Sequence, residues 1–154
     1  MRVRIIWEGK TKNEHLRALQ ADYATRITHF AGFEVEELRS RSADGPRKKD
    51  VLTAAERHIL EKAQGGVKLV LDERGQQWTS VEFARWISEK VAQGARELVF
   101  LVGGTDGFSR AFREQADVLL SLSRMTLTRD WARTLLLEQI YRSFTIQRGY
   151  PYAR

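Results

Sequence analysis

The sequence predicts a single α/β domain, with helices on both faces of a mostly parallel sheet of five to six strands. Three observations lead there. Short apolar runs alternate with amphipathic stretches from one end of the chain to the other, the pattern of a parallel sheet with crossover helices. The run Leu98–Val102 is apolar without interruption, as expected of a strand covered on both faces. The 154 residues contain no repeat, no low-complexity segment and no break in composition, so residues 1–154 fit one hydrophobic core.

The elements follow in order. RVRIIW places Val3, Ile5 and Trp7 on one face of a first strand. Leu16, Leu19, Tyr23, Ile27 and Phe30 recur every three or four residues and mark an amphipathic helix, with Gly32 as its stop. FEVEEL offers Phe33 and Val35 as inward residues of a second strand. Residues 39–50 form a polar loop with an Asp-Gly-Pro turn signal. A second helix is expected to bury Val51, Leu52, Ala55, Ile59 and Ala63 and to stop at Gly65-Gly66. VKLVLD is a short strand ending on an acid. Thr79 and Glu82 have capping-box spacing and open a helix with Phe83, Trp86 and Ile87 inward and Gly94 at its end. After the strand ELVFLV and a glycine loop, Ser109 caps a short helix. DVLLSLS reads as a fifth strand, and the final helix runs from about Asp130 to Gln147.

Composition narrows the function. Hydrophobic residues at 42% and charged residues at 30% give an ordinary globular balance, and no stretch approaches the ~20 apolar residues of a membrane span. A cytoplasmic location is the default expectation. The absence of cysteine excludes disulfides and thiolate metal sites, and His15, His29 and His58 lack neighbours at zinc-ligand spacing, so no metal is expected. Lys and Arg exceed Asp and Glu by 26 to 20, a net +6 that favours polyanionic partners, nucleic acid being the commonest. Arg39, Arg41, Arg47, Lys48 and Lys49 form the densest basic cluster, either a solvated loop or an arm for RNA backbone.

In open α/β sheets ligands bind beyond the carboxyl ends of the strands. Three such ends stand out: VLD (70–72), LVGGTDG (101–107) and SLSRMTLT (121–128). The middle one has three glycines in five positions, more than a strand–helix turn requires. No P-loop, dinucleotide fingerprint, nucleophile elbow or zinc motif is present, which removes the usual support for kinase, dehydrogenase and hydrolase readings.

The ending SRMTLTRDWARTLLLEQIYRSFTIQRGYPYAR resembles the C-terminal part of one family. This is the RNA methyltransferase H family of the SPOUT superfamily, small bacterial enzymes that modify N3 of a pseudouridine in large-subunit ribosomal RNA. The resemblance spans essentially the whole chain: VLDERG, LVGGTDGFS, SLSRMTLT and ARTLLLEQIYRSFTI match the family's segments in the same order. It implies an α/β fold closed by a C-terminal trefoil knot, an exception to unthreaded connections. It also implies S-adenosylmethionine held in the knot by Leu71, Gly103, Gly104 and the run Leu122, Ser123, Arg124, Met125, Thr126 and Leu127. Side chains at Gly103 and Gly104 would fill the space of the adenosyl group.

A homodimer follows from the same resemblance, with Trp131, Leu135 and Tyr141 of the final helix as candidate interface residues. Catalytic candidates are Arg133, Tyr152 and Arg154; Arg129, Arg142, Arg148, Arg47 and Lys48 are candidates for RNA contact. The alternatives are solvated helix positions for the arginines and a tail anchor for Tyr152. The chain departs from the family at two places. Thr128-Arg129 stands where Pro-His is usual, and Tyr152-Ala153-Arg154 replaces Tyr-His-Lys or Tyr-His-Arg. Two readings of function therefore stand side by side: an RNA methyltransferase, and an RNA- or ribosome-binding protein of altered or absent catalysis that keeps the cofactor pocket. A flavodoxin-like nucleotide-binding protein is a third reading, and the lack of a phosphate motif speaks against it.

Overall fold

The computed structural model describes residues 1–39, 50–104 and 106–152. Arg41, Arg47, Lys48, Lys49, Thr105, Ala153 and Arg154 lie outside the described residues. Ten elements alternate in the predicted order: β1 (Arg2–Glu8), α1 (Glu14–Ile27), β2 (Gly32–Leu38), α2 (Ala54–Lys62), β3 (Val67–Gln76), α3 (Ser80–Ala92), β4 (Glu97–Val102), α4 (Arg110–Arg113), β5 (Val118–Leu120) and α5 (Arg129–Arg148). The sheet has five strands in the order β2-β1-β4-β3-β5, every pair parallel.

Strand alternation divides the core into two layers. Val3, Ile5 and Trp7 of β1 share one face with Leu69 of β3 and Leu98, Phe100 and Val102 of β4. Against it pack Ile27 of α1, Phe83, Trp86 and Ile87 of α3, and Leu136, Leu137, Ile140 and Phe144 of α5. Ile6, Val70, Val99 and Leu101 point the other way and meet Ile59 of α2, its C-cap Ala63, and Phe108 and Phe112. Phe100 and Ile5 are fully buried, and each such side chain contributes about 1.5–3 kcal/mol. At the opposite end of the sheet from the candidate loops, Arg4 bridges strands through Glu97 at 2.7 Å and Glu36 at 3.3 Å.

Several boundaries differ from expectation. α1 closes at Ile27, and Gly32 opens β2 instead of ending the helix. Val51 and Leu52 precede α2, whose N-cap is Thr53; Val51 is exposed and contributes nothing to the helix's buried face. β5 is only three residues long because the chain turns away at Ser121. The largest difference is β3, which continues through Asp72 to Gln76.

That continuation rests on Gly75. A Cβ built there would stand 2.6 Å from the Leu119 carbonyl carbon and the Leu120 nitrogen, and 2.7 Å from the Leu119 oxygen. Only a residue without a side chain lets β3 pass so close to the backbone of β5. The register shifts there, with Gln76 opposite Leu120, and the Ser121 N–H donates to the Gln76 carbonyl at 2.8 Å.

Candidate functional site

Because β4, β3 and β5 are parallel neighbours, their three carboxyl ends open side by side. Leu71, Gly103, Gly104 and the segment from Leu122 to Leu127 are thereby brought to one end of the sheet.

The three glycines of the loop after β4 do three different things. Gly103 is half-buried, and a Cβ there would meet the Phe108 ring at 3.3 Å. Gly104 faces open space: a Cβ there would have no atom within 4 Å. Gly107 has φ of +69° and donates its N–H to the Gly104 carbonyl at 3.0 Å, closing a tight turn. Phe108 then stacks on Phe112 with ring centroids 4.0 Å apart, and Ser109 caps α4 by accepting the Phe112 N–H at 3.2 Å. The Ser109 N–H in turn donates to Glu56, a buried residue that also closes the capping box of α2 with Thr53.

The middle of β3 is tied to the same loop. Asp72 accepts the Arg74 N–H at 2.9 Å, and its other oxygen lies 4.0 Å from Arg113 of α4. Arg113 donates to the Phe108 carbonyl at 2.8 Å, so one guanidinium joins β3 to the loop that follows β4. After β5 the chain curls: Ser121 donates to the Ser123 carbonyl at 2.9 Å, and Ser123 accepts the Met125 N–H at 2.9 Å. Arg124, Met125 and Thr126 are exposed, Met125 at 80%, whereas Leu122, Ser123 and Leu127 are half-buried. A groove of about 210 Å³ lies beside this segment, lined by Trp78, Phe83, Leu120, Leu122, Leu135 and Gln139. The end of the sheet therefore offers backbone, apolar surface and an unfilled space at Gly104. The groove's lining mixes apolar side chains with Thr79, Ser80, Ser121 and Gln139, and among the described residues no group of His, Cys, Asp or Glu is arranged to hold a metal.

The basic and catalytic candidates divide. Arg133 is fully buried and does not reach a substrate: it donates to the Glu8 carbonyl at 2.7 Å and to Thr11 Oγ1 at 3.2 Å, and its guanidinium stacks 4.6 Å from the Trp7 ring centroid. Burial, and then the nearby charge of Arg129, push its pKa down to about 10. It is a positioning residue that fixes α5 on β1, which corrects its catalytic assignment. Its i, i+3, i+4 spacing with Leu136 and Leu137 already placed it on the inner stripe of the helix.

Tyr152 sits at the tail. Its hydroxyl pairs with that of Tyr23 at 3.0 Å, its ring meets Tyr141 edge-on at 4.9 Å, and Arg142 lies 4.7 Å over it. Burial, reinforced by the hydrogen bond to Tyr23 and the charge of Glu138, raises its pKa well above the ordinary tyrosine value. Arg142 is bound to Glu138 at 2.6 Å. Arg129 lies 3.8 Å from the Asp130 carboxylate at the start of α5, and Arg148 lies 5.7 Å over Phe30 at its end. Tyr141 is packed within the chain, whereas Trp131 and Leu135 are exposed at 49% and 36%. A second groove, of about 490 Å³, runs beside the tail past Ser80, Val81, Arg142, Ile146 and Tyr150, away from the glycine loop. Tyr141, on which Tyr152 rests, is about 20 Å along the helix axis from the Thr128 cap at 1.5 Å per residue.

Residues 1–153 match the family described as Predicted SPOUT methyltransferase. Among curated relatives, the chain is 43% identical to the ribosomal RNA large subunit methyltransferase H of Geobacter sp. (strain M21), covering 99% of this chain and 98% of that protein. It is 40% identical to the protein of the same name from Geobacter sulfurreducens, over 99% of both. Solved structures of similar fold include a probable methyltransferase from Bordetella pertussis Tohama I, with a TM-score of 0.57 at 11% identity, covering 93% of this chain and 96% of that one. Another is the tRNA (m1G37) methyltransferase from Aquifex aeolicus, with a TM-score of 0.56 at 13% identity, covering 100% of this chain and 77% of that one. At such identity these two likenesses concern the fold alone. Matched along its full length by the family model and by relatives at this identity, the chain belongs to the SPOUT methyltransferase family.

Proposed function

We propose that this protein transfers a methyl group from S-adenosylmethionine to large-subunit ribosomal RNA, with N3 of a pseudouridine as the acceptor, and that it works in the cytoplasm as a homodimer. The observation that carries the reading is the end-to-end similarity to ribosomal RNA large subunit methyltransferase H proteins. Two features support a donor at the sheet end: Gly104 leaves open space that any Cβ would begin to fill, and the groove along Leu120–Leu122 offers leucine, aromatic and hydroxyl side chains. Leu71, Gly103, Gly104 and residues 122–127 would hold it. The β3–β5 crossing at Gly75 is consistent with the knotted chain end that the family resemblance implies.

When bound, the donor supplies an electrophilic methyl group on a sulfonium. The residues of this chain then have to orient the acceptor in line and manage the proton of its N3–H. Tyr152, a phenol whose pKa burial raises further, stays protonated near neutrality, so in this reading it serves as a hydrogen-bonding group and not as the proton acceptor. Arg129, and from the sequence Arg154, are candidates to stabilise a deprotonated acceptor. The tail and the start of α5 lie far apart along one helix, and Trp131, Leu135 and Ile146 leave apolar surface exposed on that helix. Both features favour a dimer in which the tail of one protomer serves the loops of its partner.

The absence of histidine at positions 129 and 153 favours the rival reading, a binding protein that retains the pocket without efficient catalysis. Mass spectrometry of large-subunit ribosomal RNA from a deletion strain separates the two. Loss of one methyl group from a pseudouridine, restored by the gene, is the expected result. An unchanged methylation state at every pseudouridine, with S-adenosylmethionine still bound in calorimetry, would leave the rival standing.

A further inference from the structure

The loop Gly9-Lys10-Thr11-Lys12-Asn13 between β1 and α1 is held by more polar contacts than a five-residue connection needs. Gly9 donates its N–H to the Leu38 carbonyl at 2.8 Å. Arg133 binds Glu8 and Thr11 from below, and Thr11 donates to Gln20 at 2.8 Å. Gln20 donates to Thr134 at 3.1 Å. The Asp130 carboxylate accepts the N–H groups of Lys12 and Asn13 at 3.2 and 3.4 Å. Thr11, Gln20, Arg133 and Thr134 are all buried, yet Lys10 and Lys12, which the network suspends, are exposed.

These contacts string four cations along one end of the sheet. Arg39 follows Leu38, whose carbonyl holds Gly9 beside Lys10. The Lys12 backbone N–H and the Arg129 guanidinium face the two oxygens of the Asp130 carboxylate, at 3.2 and 3.8 Å, which brings the two residues side by side. The series runs from the edge strand β2, across β1, to the start of α5, directly after the segment Leu122–Leu127. Glu8, Glu14 and Glu37 flank it; the Asp130 carboxylate accepts the loop N–H groups through Oδ2, and its buried Oδ1 lies 3.8 Å from Arg129. A buried network that fixes exposed lysines suits a ligand of regularly spaced charge, because little loop freedom is lost on binding.

We propose that Arg39, Lys10, Lys12 and Arg129 form a pre-ordered phosphate track that seats the RNA backbone beside the methyl-donor cradle. The proposal rests on the RNA methyltransferase reading and adds to it residues that place the substrate. Such contacts fix register and orientation and read no sequence.

The test is binding of deproteinised large-subunit ribosomal RNA as a function of salt, with S-adenosylmethionine calorimetry on the same preparations. The double variant Lys10→Ala/Lys12→Ala should raise the RNA Kd about tenfold and reduce the slope of log K against log salt by roughly 1.4–1.8, two phosphate contacts' worth. Its donor affinity should not change. A second variant, Asp130→Ala, removes a negative charge, so electrostatics alone would tighten RNA binding; release of the loop predicts weaker binding instead. Unchanged Kd and slope in the lysine variant would overturn the track, and tighter binding by Asp130→Ala would overturn its pre-ordering. A loss confined to intact ribosomal subunits, absent with bare RNA, would assign the surface to a protein partner and likewise overturn the proposal. Failure of the wild-type protein to bind either donor or RNA would instead count against the methyltransferase reading itself.

Discussion

Glu56 accepts the backbone N–H of Ser109 at 2.8 Å across 53 residues of sequence, through a side chain that is itself buried. The same carboxylate accepts the Thr53 N–H at 2.9 Å, so one group caps α2 and anchors the far end of the glycine loop. Glu56→Gln keeps one acceptor oxygen and turns the other position into a donor facing a donor. Hydrogen bonds to charged groups contribute about 1.5–3 kcal/mol, and a loss of that size lowers the melting temperature by several degrees in a domain of this length. The donor Kd should rise several-fold as the loop loosens. A melting temperature and Kd equal to wild type would show that the link is not used.

Gly75→Ala tests the crossing of β3 over β5. The added methyl would overlap three backbone atoms of Leu119 and Leu120, none of which sits at the end of a flexible side chain. The expected loss is at the upper end for single substitutions, above about 4 kcal/mol, seen as insolubility or a collapse of the thermal transition. A normally folded, donor-binding Gly75→Ala protein would mean that the two strands separate readily.

Local signals make most of the fold legible in the sequence. The capping box at Thr79 and Glu82, the uninterrupted apolar run of β4 and the four-residue recurrence of Leu136, Ile140 and Phe144 in α5 are all present in the structure. The box at Thr53 and Glu56 has the same spacing, but the apolar Val51 and Leu52 just before it draw the expected helix start forward. Gly75 carries no local signal. Its reason is a contact with a strand more than forty residues later, across a polar stretch, Asp72–Gln76, that does not read as a strand interior. Arg133 reads by residue type as a surface cation, although its helical spacing puts it on the inner face. The loops proposed to hold the donor are read from strand ends, because in parallel sheets that is where backbone is free to meet a ligand.

Tyr152→Phe separates a proton acceptor from a hydrogen-bond donor. The folded protein holds this phenol above its ordinary pKa, so the native state retains a proton that the unfolded chain loses above about pH 10. The stability it contributes is therefore fully present below that pH and is lost as pH rises through and beyond it. Tyr152→Phe should remove that alkaline loss of stability. It should lower kcat, with no change in the shape of the pH–rate profile between about pH 6 and 9. A rate that rises with pH in the wild type and no longer does so in the variant would identify Tyr152 as the proton acceptor after all.

Gly104→Val and Gly103→Val distinguish a ligand site from a turn. A side chain at Gly103 presses on the Phe108 ring, so Gly103→Val disturbs the loop's own packing as well as any ligand. At Gly104 a Cβ meets no protein atom, and φ is not in the left-handed region. Gly104→Val should therefore leave the melting temperature of the ligand-free protein within about 1 kcal/mol of wild type in stability terms. S-adenosylmethionine affinity should fall at least tenfold, because the isopropyl group occupies the space the donor is proposed to fill. Retained affinity in Gly104→Val would place the donor elsewhere, and equal loss of folding in both variants would make the loop a structural turn.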